Sequence, residues 1–153
     1  MTEKKDLVGL IKEAGRTQRV NEFECPYVDG FYVKLAYASK FILNQIREVA
    51  REITVTRTGA REERLNEKKL REHYVRYVIK GWHGLTVGKL KKLLPSLEVS
   101  GEDENREVPF SPEIAEALLE SSLEFDSWVG SVSGELSNFV SVEQKEKEFE
   151  NLE

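Results

Sequence analysis

The sequence predicts an α+β fold, an N-terminal β-hairpin packed against a mostly α-helical domain of four to six helices. Three observations predict it. An aromatic-rich segment alternates on either side of Asp29-Gly30. Apolar residues then recur at helical spacing in several later segments. Between those segments stand helix-start signals, of which Ser111-Pro112-Glu113 is the strongest, a capping serine with proline at the first helical position.

Residues 1–21 are expected as an N-terminal arm. Leu7, Val8, Leu10 and Ile11 form a short apolar set among charges, compatible with one or two helical turns or with a mobile segment. Residues 22–37 follow as the hairpin. A three-residue loop, Val28-Asp29-Gly30, sets Tyr27 against Phe31, Cys25 against Val33 and Phe23 against Leu35. That register gathers the apolar side chains on one face, which a one-residue slip would expose. Gly30 then takes the left-handed position of a type I turn with a bulge. Pro26 has no N–H for a ladder, so the first strand is expected at an edge.

Ser39 caps a helix expected to reach Ile53, with Ile42, Ile46, Val49 and Ile53 in one stripe and Leu43 and Ala50 beside it. The stripe is expected to pack on the hairpin's apolar face. Residues 54–66 are expected as a polar, charged connector around Thr58-Gly59. A second helix runs from Glu67 to Lys80 with Gly81 as its C-cap. Thr86 caps a short helix from Val87 to Leu94, ended by Pro95, that buries Leu90, Leu93 and Leu94. Residues 96–109 form an acidic loop.

The helix from Ser111 breaks near Ser121-Ser122. Phe125, Trp128, Val129, Val132, Leu136, Phe139 and Val140 continue at helical spacing. Gly130 and Gly134 weaken that helix by about 1 kcal/mol each relative to alanine, a cost consistent with the close approach of another helix. Residues 22–140 are thus a single α+β domain, and 141–153 a charged C-terminal helix or tail.

Composition narrows the function. The chain has 153 residues, about one domain, and one cysteine, Cys25, so no internal disulfide forms and a reducing compartment is expected. No apolar run approaches the ~18 residues of a membrane span, and the start, Met1 to Asp6, is too charged for a signal peptide. The net charge of −5 argues against sequence-independent nucleic-acid binding. The cations between Arg57 and Arg71 are interleaved with Glu62, Glu63 and Glu67, as on a solvated face.

Catalytic chemistry finds little support. Cys25 falls on an apolar strand face, and His73 and His83 have no metal-ligand spacing. The carboxylates lie in polar stretches where burial does not tune them. Gly81, Gly84 and Gly88 follow a helix rather than the strand a phosphate loop needs. The least generic segment is Val78 to Thr86, where Trp82 stands close to two glycines. Trp82 and Trp128 are either core residues or anchors for a partner helix, since tryptophan is enriched at binding hot spots.

Several short motifs together carry a resemblance. They are Gly30-Phe31-Tyr32-Val33-Lys34-Leu35-Ala36-Tyr37, the segment Val78 to Thr86, Pro109-Phe110-Ser111-Pro112-Glu113, Phe125-Asp126-Ser127-Trp128, and the tail Gln144 to Asn151. Their order along residues 22–151 resembles the tail assembly chaperones of long-tailed bacteriophages and prophages. The resemblance implies a non-catalytic protein without cofactor or metal. Such a protein binds the tape measure protein and keeps it soluble during tail morphogenesis, in the cytoplasm of the bacterial host, and is absent from the mature virion. It implies neither a nucleic-acid nor a membrane partner, and leaves self-association open. A helix-binding groove is expected to involve Trp82 and Trp128, with Tyr74, Tyr77, Phe125 and Phe139 as lesser candidates. Trp82→Ala then weakens partner binding with the helical CD signal intact, whereas an unfolded variant marks Trp82 as core. The alternatives are a phage tail completion or connector part, a general helix-binding interaction module and, least supported, an enzyme.

Overall fold

The structure is a computed structural model that describes residues 2–140. The expected C-terminal helix or tail, with Val142, Phe149 and Leu152, lies outside the described residues. Helix α1 (Thr2–Arg16) has about four turns rather than one or two. Leu7, Val8, Leu10 and Ile11 all remain exposed, and α1 meets the rest of the chain at the second helix.

Strands β1 (Val20–Glu24) and β2 (Tyr32–Ala36) form the hairpin, but its register is displaced by two residues from the expected one. Phe23 faces Val33 and Glu24 faces Tyr32. Pro26 supplies the reason, because without an N–H it cannot extend the ladder. The last rung is Cys25, whose N–H donates to the Phe31 carbonyl at 2.8 Å. The loop is therefore Pro26 to Gly30, with Val28 turned into the core and Tyr27 exposed rather than on the apolar face. Gly30 has the expected left-handed φ of 76°. A two-residue displacement preserves the faces, so Cys25, Phe31, Val33 and Leu35 are still buried together.

Ser39 caps α2 (Lys40–Ala50), its hydroxyl accepting from the Ile42 N–H at 3.3 Å. The helix stops short of Ile53 because a second hairpin starts there. Strands β3 (Arg51–Val55) and β4 (Arg61–Leu65) occupy the expected connector. Ile53 faces Glu63 and Val55 faces Arg61. The turn closes through the Thr56 N–H to the Ala60 carbonyl, 2.9 Å. The Ile53-Thr54-Val55-Thr56 run has the β-branched character of a strand. Both strands are almost wholly exposed.

Asn66 caps α3 (Glu67–Val78), accepting from the Lys69 N–H at 3.0 Å. The expected C-cap at Gly81 is absent. The Ile79 N–H makes a last bond to the Val75 carbonyl, after which the backbone extends into β5 (Ile79–His83). That strand pairs antiparallel with β2, giving the order β1-β2-β5. The free edge of β2 thus wins over continuation of the helix, and β1 is an edge strand as Pro26 implies.

Thr86 caps α4 (Val87–Leu90), which is shorter than expected and continues as turns. Leu93 is buried, while Leu90 and Leu94 pack against the core. Ser111 caps α5 (Pro112–Ser121), and the buried Ser122 ends that helix and caps α6 (Leu123–Ser133). A short 3-10 turn, Leu136–Phe139, follows. Among the described residues Gly130 and Gly134 seat no other helix. None of their atoms lies within 4 Å of the place a Cβ on Gly130 would take, and Gly134 meets only the Gly130 carbonyl and ends α6.

The result is an α+β fold with six α-helices and two small antiparallel sheets among the described residues. Helices α3 and α6 contact β2, α5 lies against both helices, and Phe31, Leu35, Val78, Leu118, Phe125 and Val129 fill the space between. Helix α2 packs on α3, not on the first hairpin as expected, because α3 and α6 already cover that face; it buries Ile42, Ile46 and Ala50, while Val49 and Ile53 of the expected stripe are exposed.

Candidate functional site

Three of the six aromatic candidates meet in one cluster. Strand β5 sets Trp82 opposite Val33, on the core side of the sheet. Its ring presents edge-on contacts to Phe110 at 5.1 Å, Phe31 at 5.7 Å and Phe125 at 6.4 Å. Its indole N–H donates to the Val108 carbonyl at 2.9 Å, so the polar atom is satisfied internally. Phe125 is fully buried, stacked on Phe31 and next to Trp128 at 6.1 Å. Trp82 and Trp128 are half-buried.

The other three lie apart. Phe139 is buried against Phe23 and Tyr37. Tyr77 lines a cavity beside the end of α1. Tyr74 has its hydroxyl 3.0 Å from that of Ser133. Burial raises the Tyr74 phenol above its ordinary pKa, the Ser133 hydrogen bond opposing the rise.

Tyr74 also faces an open groove of about 520 Å³ between α2, α3 and the α5–α6 junction. Leu43 and Ile46 of α2, Leu70 and Tyr74 of α3 and Leu119 of α5 provide its apolar surface. Arg47, Glu67, Arg71, Glu120 and Asp126 provide charges of both signs, with Arg71 and Glu120 3.8 Å apart. An apolar stripe between mixed charges suits the apolar face of an amphipathic helix. Apart from Tyr74, none of these residues is among the sequence candidates. The helical spacing of Ile46 and Leu70 was visible, but their meeting across two helices was not.

The potential nucleophile and the imidazoles are engaged elsewhere. The Cys25 side chain lies in the core, where burial pushes the thiol pKa up against backbone hydrogen bonds at Tyr27 and Val28. His83 Nε2 is 3.1 Å from Glu22 Oε1, and His73 Nδ1 is 2.9 Å from the Lys69 carbonyl. Among the described residues no group of three or more histidine, cysteine and acidic side chains is placed to hold a metal ion. No helix there is long and apolar enough to cross a membrane.

Comparison with known families gives a match over residues 34–150 to the family model described as YdaY prophage protein. No curated protein and no solved structure matches significantly.

Proposed function

The chain belongs to the YdaY prophage protein family, and from that premise we propose that it is a non-catalytic tail assembly chaperone. In this reading it binds the tape measure protein in the bacterial host cytoplasm and keeps that protein soluble during tail morphogenesis. The groove between α2, α3 and α5 carries the proposal. A long chain of amphipathic helices associates prematurely unless its apolar stripe is masked. The groove offers an apolar surface for that stripe and charges for its flanks. Among the six aromatic candidates we assign the direct contact to Tyr74. Trp82, Phe125 and Trp128 support it indirectly, by fixing α6, which carries Asp126 to the groove.

The test is co-expression with the longest helical open reading frame found beside the gene. Co-purification and improved solubility of that long chain are expected. Leu43→Glu, at a position already 42% exposed, should abolish capture and leave the circular dichroism spectrum unchanged. Failure of the native chain to bind or to solubilise this partner would remove the chaperone reading. Undiminished capture by Leu43→Glu would remove the groove from it.

A further inference from the structure

A second cavity, of about 450 Å³, lies between the end of α1, helix α2 and the α3–β5 junction. Among the described residues its lining includes Arg16, His73, Arg76 and Lys80 and no carboxylate. This runs against the chain's net charge of −5. Among the described residues Arg16, Arg76 and Lys80 make no ion pair, whereas three acids of α2, β3 and α3 are taken up elsewhere. Glu48 pairs with Arg51 at 3.8 Å, Glu52 with Lys69 at 3.5 Å and Glu72 with Lys68 at 4.0 Å.

The cations are partly positioned for a ligand. Lys80 Nζ donates to the Arg76 carbonyl at 3.2 Å, folding back over the end of α3. The Arg16 guanidinium lies 5.8 Å from the centre of the Phe41 ring, a cation–π contact. Partial desolvation lowers the Lys80 pKa, although the residue as a whole is exposed. Two guanidinium forks and an ammonium offer more donors than one carboxylate can use, and they match the several oxygens of a phosphate. The volume is in the range of small-ligand sites, and Phe41 and Tyr77 add aromatic surface.

We infer that this cavity is a binding site for a phosphate group, carried either by a free nucleotide or by the backbone of a single strand of nucleic acid. The site is separate from the groove proposed for the tape measure protein and does not depend on it.

The test is a titration of the full-length, 15N-labelled protein at constant ionic strength with four probes: inorganic pyrophosphate, thymidine monophosphate, a short oligothymidylate and, as the carboxylate control, polyglutamate. Saturable amide shifts confined to the α1 end, α2 and the α3–β5 junction are expected. Tighter binding of the monophosphate, compared per phosphate, would identify a free nucleotide as the source; tighter binding of the oligomer would identify a strand. Both results support a phosphate site. The double variant Arg76→Ala with Lys80→Ala should bind about tenfold or more weakly. Lys92→Ala, an exposed cation outside the cavity, should bind like the native chain. Circular dichroism checks that each variant is folded. Shifts that never saturate, or affinity unchanged in the folded double variant, would overturn the inference. Equal binding of polyglutamate would overturn it in favour of a carboxylate-bearing partner.

Discussion

Replacing Trp82 with alanine separates a core role from a surface one. The substitution removes three edge-on aromatic contacts, to Phe110, Phe31 and Phe125, and the 2.9 Å hydrogen bond to the Val108 carbonyl. Truncating a buried tryptophan costs about 3–5 kcal/mol. Trp82 is only half-buried, so the low end applies, about 3 kcal/mol. For a chain of this length that is a fall in melting temperature of roughly 6–12 °C. Trp82→Phe retains a ring against the cluster but leaves the Val108 carbonyl without its donor, at about 1 kcal/mol. Urea unfolding followed by far-ultraviolet circular dichroism measures both, with Trp128 fluorescence as a second probe. The order native, Trp82→Phe, Trp82→Ala is expected. A Trp82→Ala chain within about 0.5 kcal/mol of native, the range of ordinary surface changes, would refute the core assignment and return Trp82 to the candidates for direct partner contact.

Gly84→Ala should be severely destabilising in thermal melts, because the φ is +82° and the added Cβ would collide with the Gly30 carbonyl oxygen. Gly59→Ala has the same φ with nothing among the described residues within 4 Å, so only the left-handed penalty of about 1 kcal/mol applies. Hydrogen exchange should confine that loss to the β3–β4 hairpin. Ser122→Ala removes the buried hydroxyl that accepts from the Phe125 N–H at 3.2 Å and should cost about 1–2 kcal/mol in urea unfolding. Cys25 should resist thiol reagents until the chain unfolds, with labelling rates that follow the unfolded fraction in urea. Since its folded pKa is raised, the unfolded thiol loses its proton first as pH rises. Stability should therefore fall above the ordinary thiol pKa, and Cys25→Ala should remove that part of the slope.

What was legible in the sequence depended on chemistry within a few residues of itself. The caps Ser39, Thr86 and Ser111 satisfy N–H groups three positions on, and Ser122 marks the break between α5 and α6 in the same way. The buried face of the first hairpin was also legible, because a two-residue register error leaves strand parity intact. Strand β5 was not, since Val78 and Ile79 suit a helix or a strand and the free edge of β2, over forty residues earlier, decides between them. The second hairpin was obscured by Arg61 to Arg64, four charged residues on a strand with no buried face. Aromatic identity flagged Tyr74, Trp82 and Trp128 alike. Only the packing of α3, α5 and α6 distinguishes the ring facing a groove from those meeting Phe31 and Phe125.

The β3–β4 hairpin also matters to anyone handling this protein. Its turn, Thr56 to Ala60, is exposed apart from half-buried Thr56, and its closing hydrogen bonds are local. Lengthening such a loop costs only about 0.6 kcal/mol for each doubling. An epitope or affinity handle spliced between Thr58 and Gly59 would sit on a turn whose residues line neither the groove nor the cation-lined cavity. Complexes could then be captured from cell extracts with both chain ends left native.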